Sequence, residues 1–141
     1  MFGCMKYISL ISRCATQHQV EKFVGIGLKG NQCGYLFQVC REPGLSQDQL
    51  SQRLHVNRSN VTRQLVILEK NGFVERRKDP GDARILSVHP TAKTLDNIGL
   101  IRKTLHEYSD FLTEDFTPEE KAQFLGFLER AARKAEAGAE R

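Results

Sequence analysis

Apolar side chains recur every three or four residues along most of this chain, and where the rhythm breaks, the residues are those that end helices. Tyr7, Ile8, Ile11, Ala15 and Val20 set a helical stripe over residues 5–24. GIGLKG interrupts it at residues 25–30, and a second helix is expected over residues 31–41, closed by Glu42-Pro43-Gly44. Ser46-Gln47-Asp48-Gln49 has the spacing of a capping box: the serine caps a helix start and Gln49 reaches back to the serine's own N–H. A short helix then buries Leu50 and Leu54. After a turn at His55-Val56, Asn57 is a fit N-cap for the next helix, and Asn71-Gly72 closes it, with Gly72 suited to the left-handed position and Phe73 folding back on the last turn.

Beyond that point the period changes. Residues 74–78 and 85–89 read as two strands, joined through Asp79-Pro80-Gly81-Asp82, whose Pro-Gly order predicts a type II turn. Two more helices follow. The first covers residues 91–112, with Leu95, Ile98, Ile101, Leu105 and Tyr108 at helical steps. The second opens at Thr117-Pro118-Glu119-Glu120, which combines N-cap, proline at N1 and capping box, and is expected to bury Phe124, Leu125, Leu128 and Ala132. The order is helices, hairpin, helices. It predicts a mainly α (α+β) fold with one β-ribbon.

The helix over residues 58–70 is unusual on its outer side. Val61, Leu65 and Leu68 form one narrow stripe, with Ser59, Arg63 and Lys70 opposite and Asn60 and Thr62 on the flanks. A merely solvated face would carry a mixture of Lys and Glu. Here short hydroxyl and amide groups surround one arginine in the first turns, where a recognition helix presents its readers to base edges and phosphates. A short capped helix and a tight turn come immediately before. The pair is a helix-turn-helix, and the following hairpin makes it winged.

Composition narrows the setting. The chain has 141 residues, 40% hydrophobic and 27% charged, which fits one globular domain. No stretch reaches the ~18–20 apolar residues of a membrane span, and the N-terminal apolar patch, broken by Lys6 and Arg13, lacks the cleavage site of a signal peptide. Four cysteines without a CxxC pair point away from a zinc site or a secreted disulfide scaffold, and towards a cytoplasmic protein. The net charge of +4 is uneven: residues 1–44 carry +3, residues 45–90 carry +3 and residues 91–141 carry −2. A basic middle suits a polyanionic partner.

The stretch LSQDQLSQRLHVNRSNVTRQLVILEKNGFVERRKDPGDARILSV, residues 45–88, resembles the winged helix-turn-helix of the MarR family of bacterial transcription regulators. The matching pieces are the LS-xx-QL-xx-L opening, the V-TR-xx-xx-LE-xx-G-xV-xR core and the DP-xD-xR wing. Val66 stands where the family usually has an acidic residue, and His89-Pro90-Thr91-Ala92-Lys93-Thr94 departs from its Leu-Thr-xx-Gly. The resemblance implies one MarR-type domain over residues 1–141, with dimerisation helices at 1–27 and 91–141 and a winged helix-turn-helix DNA-binding unit at 28–90. It implies a homodimer on double-stranded DNA with pseudo-palindromic sites, repressor action and response to a ligand or stress. Family members often bind small aromatic acids or phenols between the dimer helices and the winged unit. The candidate DNA contacts are Asn57, Arg58, Ser59, Asn60, Thr62, Arg63 and Lys70 on the recognition helix, with Arg77 and Arg84 from the wing. Arg76, Gly81 and Asp82 are expected to shape the wing: alternation turns Arg76 inward, where its charge needs a partner, and Asp82 is the nearest acid across the turn.

Rival signals are weaker. GIGLKG fits G-x-G-x-x-G, yet the polar segment before it reads as a helix end and not as the buried strand that a dinucleotide loop must follow. Cys14 and His18 stand four apart without further ligands, so a small buried thiol beside an exposed histidine is the plainer reading than a metal site. One branch of the family senses hydroperoxides with a first-helix cysteine, which makes Cys4 and Cys14 candidate redox thiols, although Tyr7 is the only nearby tyrosine to poise them. Four scattered histidines, with no nucleophile elbow or P-loop, leave no enzyme site and no cofactor to hold. The alternative of another class is a winged helix used only for protein–protein contact, for which Val66 and Ile67 beside the reading face leave room.

Overall fold

The computed structural model describes residues 3–139. Its elements are α1 (Met5–Phe23), α2 (Cys33–Arg41), β1 (Leu45–Ser46), α3 (Gln47–Leu54), α4 (Arg58–Lys70), β2 (Val74–Lys78), β3 (Leu86–Pro90), α5 (Ala92–Leu112) and α6 (Pro118–Ala139). Two short 3-10 turns, Val24–Ile26 and Gly30–Gln32, link α1 to α2. The mainly α fold with a small antiparallel sheet is the one expected. The chain divides into two compact units, one up to Leu105 and one from His106 on.

In the first unit a single core gathers Phe23, Leu28, Leu36, Val39, Leu45, Leu50, Val61, Leu65, Leu68, Phe73, Val74, Val88 and Ile101. Its members come from α1, α2, α3, α4, the sheet and α5, so the recognition helix is held by its apolar stripe on all that surrounds it. The Val61–Leu65–Leu68 stripe is fully buried, as its period required. Among the buried polar groups, Gln32 accepts from the Lys29 N–H at 2.9 Å and donates to Gln64 of α4 at 3.0 Å. A hydrogen bond at both its oxygen and its nitrogen is what keeps an amide there without a large desolvation cost.

The sheet has the order β1-β3-β2, antiparallel throughout. β1 is a strand that local pattern did not suggest. It is two residues long, pairs Leu45 with Val88 and Ser46 with Ser87, and is extended by the Gly44 N–H donating to the Val88 carbonyl at 2.8 Å. Strands β2 and β3 pair Val74 with Pro90 through Lys78 with Leu86.

The loop after β2 is not the type II turn that Pro80-Gly81 suggested, which needs a left-handed Gly81; the glycines with positive φ are Gly3, Gly27, Gly44 and Gly72. Instead the Asp79 carboxylate accepts from the Gly81 N–H at 2.9 Å and the Asp82 N–H at 3.0 Å. An Asx turn has won over the backbone turn.

Both ends of α4 are built as expected. Asn57 accepts from the Asn60 N–H at 2.9 Å, and Gly72 (φ 81°) turns the chain so that the Phe73 N–H reaches the Leu68 carbonyl at 2.8 Å. The start of α5 then closes the remaining carbonyls. Thr91 donates to Gly72 O and Thr94 to Phe73 O, both at 2.5 Å, and Lys93 donates to Asn71 O at 2.8 Å while lying over the Phe73 ring. This is what His-Pro-Thr-Ala-Lys-Thr does after the wing: it grips the exit of the recognition helix.

The second unit holds the end of α5 and all of α6. Thr117 and Glu120 form the expected capping box, at 2.9 and 3.1 Å, Lys121 pairs with Asp110 at 2.7 Å, and Phe116 meets Phe124 edge-on. The expected burial of Phe124, Leu125, Leu128 and Ala132 does not occur: no described residue of α6 is buried, and Leu125 keeps 46% of its surface. The stripe is there, but nothing in one chain covers it.

Candidate nucleic-acid interface

The turn between α3 and α4 sets the angle at which the recognition helix leaves the core. His55 closes α3 in the left-handed region (φ 53°, ψ 42°), unusual for a residue with a side chain, and Ser51 holds the turn by donating to the Val56 carbonyl at 2.5 Å. At the far end of α3 the Ser46–Gln49 capping box is in place at 2.9 and 3.1 Å.

The candidate readers on α4 form a linked row. Ser59 donates to the Asn57 carboxamide at 2.8 Å, Thr62 donates to the Arg58 carbonyl at 3.0 Å, and Arg63 donates to the Asn60 side chain at 2.5 Å. Arg58 pairs with Asp48 of α3 at 3.2 Å. Lys70 is exposed at the last turn. Asn57 and Ser59 thus spend part of their hydrogen-bonding capacity on the cap, while Arg63 is held by a neutral amide and not by a carboxylate.

On the wing, Arg84 sits at the loop with 90% of its side chain exposed, clamped by Asp82: Nε and Nη2 donate to the two carboxylate oxygens at 3.0 Å each, and the Arg84 N–H adds a third bond at 3.0 Å. The guanidinium hydrogen bond holds the Asp82 carboxyl below the usual carboxylate range. Arg77 is held likewise by Glu75 at 3.2 Å, whose carboxyl is lowered by that same hydrogen bond. Gly81 lies in the Asx turn, where a side chain would crowd the Asp79 carboxylate.

Arg76 faces inward opposite Val88, but the expected bridge to Asp82 is absent because Arg84 occupies that carboxylate. Its partners are Glu69 on α4 and Gln47 on α3. The Arg76 N–H and Nη2 donate to the two Glu69 oxygens at 3.0 and 3.1 Å, and Nη1 donates to Gln47 Oε1 at 3.2 Å. The Arg76 hydrogen bonds hold the Glu69 carboxyl below its usual range. Glu69 and Gln47 are therefore working residues of the unit that sequence reasoning did not single out. Glu69 carried a signal, the Leu-Glu of the core motif; Gln47 carried none, since its partners are 15 and 29 residues away. The base of the wing and the start of α3 together line a cavity of about 200 Å³ between Ser46, Gln47, Asp48, Arg84, Ile85 and Leu86.

GIGLKG follows a helix and folds into 3-10 turns. Among the described residues no three His, Cys, Asp or Glu side chains converge as a metal group. Cys14 on α1 is exposed and not buried as expected, with His18 half-buried, and Cys4 is exposed at the start of that helix, whereas Cys33 is buried and its thiol is pushed up to about 11.

The MarR family model matches residues 26–85. The crystal structure of MarR is 31% identical, with a TM-score of 0.86 over 94% of this chain and 97% of that one. This chain belongs to the MarR family. It is a transcription regulator of the DNA-binding, winged helix-turn-helix kind. An uncharacterised HTH-type transcriptional regulator of Bacillus subtilis (strain 168), YybA, is 26% identical over 96% of this chain and 91% of its own. A MarR-family regulator from Listeria monocytogenes, solved in complex with 26mer DNA, shares the fold at TM-score 0.85 and 21% identity, over 96% of this chain and 90% of that one. Among the described residues no helix is long and apolar enough to cross a membrane.

Proposed function

We propose that this MarR-family regulator is a repressor that binds pseudo-palindromic operators as a homodimer and releases them in response to a small aromatic or phenolic ligand. The observation that carries the DNA reading is the pairing of two differently shaped probes on one unit. The first turns of α4 expose Ser59, Thr62 and Arg63 beside the half-buried Asn60, while the wing holds Arg84 out on a carboxylate clamp. A helix suits the major groove and a slim ribbon ending in arginine suits the minor groove. The Listeria relative bound to DNA supports that assignment by its fold.

The dimer is supported by the apolar side chains that a single chain leaves bare: Tyr7, Ile8 and Ile11 on α1, and Leu125, Phe127 and Leu128 on α6. In this reading residues 1–27 and 91–141 carry the dimer contacts and residues 28–90 read DNA.

Footprinting on the DNA upstream of the protein's own gene, repeated with phenolic compounds and with a peroxide, tests the whole reading. Protection of two half-sites about one helical turn apart, lost on adding a phenol, is the expected result. Loss with peroxide alone would assign the response to Cys4 or Cys14. Arg63→Ala should relax base preference at one position per half-site, and Arg84→Ala should weaken binding most on A·T-rich flanks. If both variants bind as the parent does, the face serves a protein partner and not DNA.

A further inference from the structure

Four polar side chains link the wing strand to the start of the recognition helix, and their donor and acceptor roles can be assigned without ambiguity. A guanidinium only donates, so the Gln47 carboxamide must turn its oxygen to Arg76 Nη1, at 3.2 Å. Its NH₂ is then left to donate to Thr62 Oγ1, also at 3.2 Å. With that lone pair filled, the Thr62 hydroxyl donates onward to the Arg58 carbonyl at 3.0 Å. Glu69 fixes the other end by gripping Arg76 through both its backbone N–H and its Nη2. The chain runs in one direction, from β2 through α3 to the first turn of α4. Among these four side chains, Gln47 alone bonds to both the wing strand and the reading face. It also lines the cavity that Arg84 lines at the base of the wing.

We propose that Gln47 is a positioning residue that ties the wing to the register of the recognition helix, so that the minor-groove and major-groove contacts are made as one unit. The proposal rests on the DNA-binding reading above. Its physical content is a coupling: shifting the wing pulls Arg76, Arg76 pulls the Gln47 oxygen, and the Gln47 NH₂ carries that to Thr62, beside Arg63. Removing the link leaves each contact intact but independent. Methionine matches the length of Gln47 and can make neither bond. Glutamate keeps the acceptor for Arg76, and the Thr62 hydroxyl can turn to donate to its second carboxylate oxygen, so the link survives.

The experiment measures binding of the parent, Gln47→Met, Gln47→Glu and Thr62→Val to four operators: native, core-swapped, flank-swapped and doubly swapped. For the parent, the double swap is expected to depart at least roughly threefold from the product of the single swaps, the mark of coupled sites. In Gln47→Met, affinity for the native operator should fall roughly tenfold, the scale of one or two lost hydrogen bonds, and the double swap should equal that product. Thr62→Val should lose the coupling as well, since it breaks the same link at another atom, whereas Gln47→Glu should retain it, its carboxylate accepting from both Arg76 and the Thr62 hydroxyl. The Gln47→Met/Thr62→Val double variant should lose no more coupling than either single one. A merely structural Gln47 would lower affinity and melting temperature while leaving the departure from the product unchanged. That result overturns the proposal, as does a parent that binds all four operators in simple proportion. A parent that binds no operator overturns the DNA-binding reading itself, and this proposal with it.

Discussion

Single side chains on this surface are held before any ligand arrives. Arg84 shows it most plainly: two bonds to Asp82 fix a guanidinium that would otherwise sample many rotamers at the loop, and the Arg84 backbone N–H adds a third. Asp82→Ala removes a negative charge from a face meant for DNA, and simple Coulomb reasoning expects tighter binding. The clamp argues the reverse. Freed from it, Arg84 must be ordered on binding, and a titration at fixed salt should show several-fold weaker affinity, largest on A·T-rich flanks. Tighter binding would show that the carboxylate only repels phosphate. Sequence alone placed Arg76 on the inner face of its strand correctly, because alternation is local. It misassigned the partner for the same reason. Asp82 is near in sequence, but Glu69 and Gln47 reach Arg76 only once α3, α4 and the sheet have packed.

Between whole elements the decisive contacts are those at helix ends. The caps of α4 were legible because a cap is written in four residues, Asn57 to Asn60 at one end and Asn71 to Phe73 at the other. β1 was not, since a two-residue strand exists only through pairing with β3, more than forty residues on. The turn at Pro80-Gly81 was misjudged because the Asp79 side chain competes for the backbone donors. Two tests belong here. Thr94 is fully buried and donates to the Phe73 carbonyl, which joins the exit of α4 to the start of α5. Thr94→Val keeps the shape and deletes the donor, and a urea titration should show a loss of about 1–2 kcal/mol. Glu69 joins α4 to β2, and its pKa is lowered from 4.5 by Arg76. A depressed carboxyl contributes stability above the unfolded value and loses it as pH falls through the folded one. The melting-temperature advantage of the parent over Glu69→Gln should therefore be constant above about pH 5.5, a unit or so beyond the unfolded titration, and shrink steadily below pH 4.5. An advantage that persists unchanged to pH 3 would mean that the Arg76–Glu69 contact does not depend on charge.

Across the molecule, helical period told which faces of α1 and α6 are apolar and could not tell what covers them. That is why Leu125 and Leu128 read as core and are found exposed. The charge pattern was legible in the same partial way: the basic middle was visible in the sequence, and the pairing of its charges was not. Arg58, Arg77 and Arg84 each carry a carboxylate within 3.2 Å, from Asp48, Glu75 and Asp82. A phosphate approaching such a pair meets a nearly neutral group, so it keeps more of its own condensed cations than it would beside a bare arginine. The entropy of ion release, which drives most protein–DNA association, is accordingly smaller than the number of basic side chains implies. The slope of log affinity against log salt should be shallow for so basic a surface, and Asp48→Asn with Glu75→Gln should steepen it by about 1–2 units. The protein would then hold its DNA over a wide range of cellular ionic strength, with affinity set by fit more than by field.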